Sequence, residues 1–124
     1  QQLTLIKKHI FKNKIHTKVV SCKIIRNSNG VVCSSRNLNL NINQIRIAKK
    51  VYSYLCKVKN KTKKNFKLFN TSLFKRNLIK LGINKIDYLV IINPKSLNRP
   101  KKLKEPFKIF IAYYLNKVRL IDNI

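Results

Sequence analysis

The chain has 124 residues, enough for one domain around one core, and sets 29 Lys and Arg against 3 Asp and Glu, a formal charge of +26. Self-repulsion on that scale calls for a polyanion, with nucleic acid the first expectation and an anionic membrane surface the second. A hydrophobic content of 44% excludes a merely disordered basic tail.

Residues 1–16 mix Leu3, Leu5, Ile6, Ile10 and Phe11 with Lys7, Lys8, Lys12 and Lys14, which predicts a basic N-terminal arm. Thr17 to Ser35 has the pattern of a β-hairpin. Val20, Cys22 and Ile24 alternate with Ser21, Lys23 and Ile25, and Asn27-Ser28-Asn29-Gly30 supplies a turn. Arg36 to Asn43 is polar, a loop or short edge strand, and Asn41 or Asn43 suits the N-cap of a helix. That helix, Gln44 to Lys57, carries Ile45, Ala48, Tyr52 and Leu55 on one face. The lysine run from Lys57 to Lys67 is a solvated loop or a phosphate contact, and the net charge favours phosphate. A short strand through Phe66, Leu68 and Asn70 leads to a helix, Ser72 to Leu81. Its face is Phe74, Leu78 and Leu81, its cap Thr71 or Ser72, and Gly82 ends it. Ile86 to Ile92 is apolar on both faces and is expected as a central strand, stopped by Asn93-Pro94. A basic tail, 95–104, follows. Beyond Glu105-Pro106, the stripe Phe107, Ile111, Tyr114, Val118 and Ile121 predicts a C-terminal helix.

The elements amount to an α/β (α+β mixed) fold: a mixed sheet with packed helices in the order β-β-α-β-α-β, of ribonuclease-H-like topology, plus the basic tail and C-terminal helix. The expected segments are an arm at 1–16, a core at 17–94, the tail at 95–104 and a helical extension at 105–124. No run is long and apolar enough to span a bilayer.

The succession Leu81-Gly82, Ile86 to Ile92, Pro94, Asn98, Arg99-Pro100 and Lys101-Lys102 resembles the C-terminal half of the universal small-subunit ribosomal protein eleven family. Asn27, Gly30 and Cys33-Ser34-Ser35 fall where that family has its first hairpin. The resemblance implies a structural constituent of the small ribosomal subunit, bound to rRNA in the platform near the mRNA exit region. It implies neighbouring ribosomal proteins as partners, with the 107–121 helix as a docking element. Lys, Asn and Ile dominate the chain, as in an AT-rich coding sequence, and the expected compartment is a mitochondrion ahead of a plastid-type organelle. The residues expected on rRNA are Lys23, Arg26, Asn27, Asn29, Ser34, Ser35 and Arg36; Lys61, Lys63 and Lys64; Thr71, Ser72, Lys75 and Arg76; and Lys95, Asn98, Arg99, Lys101, Lys102 and Lys104. The alternatives are an rRNA binder like large-subunit ribosomal protein eighteen and a cationic membrane-surface protein.

An enzyme is not expected. Asp87, Glu105 and Asp122 are the only carboxylates, too few for a two-metal nuclease site, and no Ser/His/Asp or Cys/His arrangement is evident. Cys22, Cys33 and Cys56 lack C-x-x-C spacing and read as reduced, small apolar residues, so no metal or cofactor is expected.

Overall fold

The computed structural model describes residues 2–101 and 105–124, the Phe66 side chain apart. Its elements are α1 (Gln2–Lys12), α2 (Ile42–Lys64), α3 (Thr71–Lys80), β1 (Lys85–Ile92), β2 (Lys108–Leu115) and β3 (Val118–Asn123), with 3₁₀ turns at Ser35–Asn39 and Phe66–Leu68.

Local chemistry explains where the helices start. Asn41 and Gln44 form a reciprocal capping box: Asn41 Oδ1 accepts from the Gln44 N–H at 2.9 Å, and Gln44 Oε1 accepts from the Asn41 N–H at 2.8 Å. Helix α2 then buries Ala48, Val51, Leu55, Val58 and Thr62, spaced three and four apart, so that one stripe faces the core. Helix α3 is capped by Asn70, whose Oδ1 accepts from the Leu73 N–H at 2.9 Å, one residue before the expected Thr71 or Ser72. It buries Phe74 and Leu78 and ends before Gly82, which takes φ +105.

The sheet is antiparallel throughout, in the order β1-β2-β3. One face presents Leu89, Ile91, Ile109, Ile111, Tyr113, Leu115 and Leu120 to the core that α2 and α3 cover. The opposite face is less covered, and leaves Val90 and Ile121 exposed. A bulge between Ile86 and Tyr88 interrupts the β1–β2 register. Arg119 Nε donates to Asp87 Oδ2 at 2.7 Å beside it.

Several expectations are corrected. The β-β-α-β-α-β, ribonuclease-H-like mixed sheet is not what forms: the described residues make three α-helices and a three-stranded antiparallel sheet. The expected C-terminal helix at 107–121 is the β2–β3 hairpin. Its apolar residues fit a helical stripe, but the run Lys108–Leu115 is rich in β-branched and aromatic residues, and Ile109, Ile111, Tyr113 and Leu115, two apart, are all buried. Asn116, at φ +52, turns it. Strand β1 is an edge strand, because β2 takes the middle place. The expected hairpin at 17–35 reduces to one bridge, Arg26 with Val32, around the Asn27–Gly30 turn. Residues 15–25 carry no strand or helix, and the Ile25 carbonyl accepts from the Cys33 N–H at 3.0 Å. The arm contains α1, and the strand expected at 66–70 contains a 3₁₀ turn.

Two tests follow from the core. Ile111 is fully buried in the middle strand, so Ile111→Ala should cost about 2–5 kcal/mol, read as a lowered urea midpoint. Tyr113 is buried on the same face, and burial first, then the Asp122 charge, pushes its phenol above the ordinary 10.0. Above pH 10 the unfolded chain sheds a proton that the folded chain keeps, so stability falls as pH rises. Tyr113→Phe should remove this contribution and flatten the midpoint between about pH 10 and 12 relative to the wild-type chain; equal slopes would contradict it.

Candidate functional site

Three remote stretches meet at one cleft of about 210 Å³. One wall is Val31 to Ser34 with Arg36 and Asn37; α2 adds Ala48 and Tyr52; β2 adds Tyr113; β3 adds Leu120, Ile121 and Asp122.

The first wall is built from the Asn27–Gly30 turn upward. Asn27 Oδ1 accepts from the N–H groups of Asn29 at 3.1 Å and Val31 at 3.0 Å, an Asx-type turn. Gly30 has φ +79 and lies flat on Tyr52; a β-carbon there would come within 2.3 Å of Tyr52 Cδ1. Both the backbone conformation and the space therefore call for glycine. Ser34 caps the following 3₁₀ turn, its Oγ accepting from the Arg36 N–H at 3.2 Å. Asn37 Nδ2 donates back to the Val32 carbonyl at 2.8 Å, which folds the turn over the cleft.

Arg26 joins this wall to the end of the sheet. Its two terminal nitrogens donate to Asp122 Oδ2 at 2.9 Å and Oδ1 at 2.8 Å, and also to the carbonyls of Gly30 at 2.9 Å and Asn123 at 3.0 Å. The guanidinium lies 4.5 Å from the Tyr52 ring centroid. The hydrogen bond to Asp122 holds the Arg26 pKa above its usual range, against some loss from burial.

The residues singled out in the sequence do not form one surface. Ser34 and Arg36 are exposed and line the cleft, Ser35 between them is exposed but does not line it, and Arg36 has no ion pair among the described residues. Arg26 is half-buried and Asn27 exposed, but both commit their side chains to hydrogen bonds within the protein, while Lys23 and Asn29 are exposed beside them. Lys61, Lys63 and Lys64 lie roughly three turns along α2 from Tyr52. Thr71, Ser72, Lys75 and Arg76 occupy the first two turns of α3. Thr71, Asn98 and Arg99 line a separate hollow of about 290 Å³, with Lys95 and Lys101 on the same loop. Lys102 and Lys104 lie outside the described residues. Sequence reasoning missed Tyr52, taken only as packing, and Tyr113 and Asp122, placed on a helix. The scarcity of acids was the available signal for Asp122: a chain with 3 carboxylates gives each a specific partner. Among the described residues no group of His, Cys, Asp and Glu could hold a metal ion, and no helix is long and apolar enough to cross a membrane.

Comparison with known proteins explains this architecture. The pantoate-beta-alanine ligase family model matches residues 1–124. The pantothenate synthetase of Flavobacterium psychrophilum is 34% identical over 134 residues, covering 100% of this chain and 45% of the relative. That of Clostridium botulinum (strain Loch Maree) is 33% identical, covering 99% and 44%. The crystal structure of a Francisella tularensis pantoate-beta-alanine ligase, complexed with beta-gamma ATP and beta-alanine, is 30% identical with a TM-score of 0.69, over 99% of this chain and 39% of that one. A Thermus thermophilus pantothenate synthetase structure, 22% identical with a TM-score of 0.75 over 99% of this chain and 45% of that one, shows the same fold. The chain thus spans less than half the length of these relatives.

These matches overturn the ribosomal assignment. The likeness to small-subunit ribosomal protein eleven rested on an order of elements that the structure does not have, and whole-chain sequence similarity lies elsewhere. With it fall the rRNA, ribosomal-protein and mRNA-exit partners, and the alternatives of a large-subunit ribosomal protein eighteen-like binder or a membrane-surface protein. The mitochondrial placement falls too, since the matching relatives are bacterial and base composition marks a genome rather than a compartment. The expectation of a non-enzyme is likewise overturned, because the relatives are ligases and the missing carboxylates are a requirement of metal-dependent hydrolysis, not of ligation. The chain belongs to the pantoate-beta-alanine ligase family.

Proposed function

We propose that this chain supplies part of the nucleotide-binding side of a ligase that joins pantoate to β-alanine with ATP. The observation that carries the reading is the Ser34–Asn37 turn, where the Ser34 and Arg36 side chains line the cleft and the exposed Arg36 guanidinium has no ion pair among the described residues.

A carboxylate is a poor partner for an amine, because its oxygen is a poor leaving group and its charge repels the nucleophile. A nucleoside triphosphate removes both obstacles: the carboxylate oxygen bonds to one phosphorus, a phosphoanhydride bond breaks to release the remaining phosphates, and the amine then displaces the bound phosphate group from the resulting mixed anhydride. The protein must then neutralise charge on the phosphates as bonds rearrange. Fixed hydrogen-bond donors and an Arg fork suit that task, and a carboxylate-poor surface does not oppose it. The +26 field also draws in ATP and the pantoate carboxylate. Tyr52 and Tyr113 give the cleft aromatic walls. In a protein as long as the relatives, the apolar surface of α1 and residues 15–25 suits burial against the remaining part. Phe11 is 87% exposed, and Val20 and Ile25 are exposed as well.

Isotope-labelled chain titrated with ATP should show amide shifts concentrated at 31–37 and 52. Shifts confined to the 57–67 lysine run, or none, would contradict the reading. The protein carrying this chain should form pantothenate from ATP, pantoate and β-alanine. Arg36→Ala should lower kcat/KM by about 10²-fold, or ~2.7 kcal/mol of transition-state stabilisation.

A further inference from the structure

We infer that Arg26, clamped by Asp122, is a positioning residue that sets the Ser34–Asn37 turn for phosphate contact. The inference rests on the nucleotide reading of the cleft.

Arg26 carries no free terminal donor. Each of its two terminal nitrogens makes two hydrogen bonds, one to Asp122 and one to a backbone carbonyl. Those carbonyls belong to different parts of the fold: Gly30 in the turn and Asn123 at the end of β3. A planar fork with four fixed acceptors has little freedom to rotate, so the turn is held in one orientation relative to the sheet. Tyr52 beneath the guanidinium fixes the same assembly against α2.

From Arg26 the constraint passes to the Ser34–Asn37 turn through short, specific links. Arg26 bridges to Val32, and the Cys33 N–H donates to the Ile25 carbonyl at 3.0 Å. The Val32 carbonyl accepts from Asn37 Nδ2 at 2.8 Å. Arg26 therefore does not reach the rim itself; it acts through Val32 and Asn37. Asp122 selects the rotamer of Arg26, as its partner on both oxygens. Lysine in place of Arg26 keeps the charge but makes a single point contact, so it cannot hold turn and strand together.

The test compares wild-type chain with Asp122→Asn and Arg26→Lys by amide spectra and ATP titration, and by steady-state kinetics in the protein carrying the chain. In each variant that keeps the wild-type dispersion of α3 and β1 amides, the Ser34–Asn37 amides should shift or broaden. ATP affinity should fall about 10-fold or more. KM for ATP should rise while KM for β-alanine stays within twofold. A purely structural role would instead lower the folded fraction and kcat with KM for ATP unchanged, and that result overturns the inference. Unmoved Ser34–Asn37 amides in a folded Arg26→Lys chain also overturn it. If Asp122→Asn does not fold, Arg26→Lys decides alone. If the wild-type chain itself shows no ATP response, the nucleotide reading fails, and the positioning role fails with it. An ATP response in the wild type that both folded variants retain in full overturns the positioning role alone.

Discussion

The ion pair between Arg26 and Asp122 joins residues 96 positions apart and ties the Asn27–Gly30 turn to the last strand. The side chains are only 18% and 12% exposed, which places the pair closer to a buried bridge than to a surface one. Exposed pairs contribute about 0–1 kcal/mol, whereas removing one partner of a buried pair costs about 3–5 kcal/mol, because the other charge is left desolvated and alone. The two-oxygen geometry and the extra carbonyl acceptors offset that desolvation here. The packing is equally unforgiving: Gly30 sits against Tyr52 where no β-carbon fits, so turn, helix and strand must form together. The Arg119–Asp87 pair beside the β1 bulge is more exposed and links the two outer strands of one sheet across β2, so it contributes less.

Charge explains both the plausibility and the failure of the ribosomal assignment. A chain with 29 cationic and 3 acidic side chains needs anions near it, and composition alone does not distinguish a strand of nucleotides from a single triphosphate. Placement separates them. The cations lie on different helices and loops, and those lining the cleft are few: Arg36 stands there beside Ser34 with no ion pair among the described residues, while Arg26 is committed to Asp122. Cations dispersed in this way favour solubility and a diffuse attractive field, and a compact cleft favours a compact anion.

Local signals were legible in the sequence wherever a single residue decides. Asn41 announces α2 because its side chain satisfies an orphan N–H, and Gly82 ends α3 because φ +105 suits little else. The Asn27–Gly30 turn and the strand from 85 to 92 were visible for similar reasons. What was hidden is tertiary. The residues Phe107, Ile111, Tyr114, Val118 and Ile121 satisfy a helical period, yet the alternation Ile109, Ile111, Tyr113, Leu115 is the one that is buried, and β-branched and aromatic content decides between them. Placing that segment on a helix displaced Tyr113 and Asp122 from the cleft and left no strand to take the middle place that the two-sided apolar pattern of 86–92 had suggested for β1. One wrong period thus removed the middle strand, the third strand and half of the site's walls.

The cleft owes its existence to the last strand. Val31 to Asn37 and Tyr52 could approach each other through α2 alone, but Leu120, Ile121 and Asp122 arrive only when β3 pairs with β2 through the register Ile111–Asp122 and Tyr113–Leu120. Strand β2 in turn depends on β1, which α3 holds in place through the buried core. The site therefore reports on the whole sheet: an opening of the β2–β3 hairpin removes the carboxylate that clamps Arg26 and releases the turn that carries Arg36. By the same linkage, any ligand that binds only the closed cleft stabilises the hairpin pairing, although none of its contacts need fall on the strands themselves.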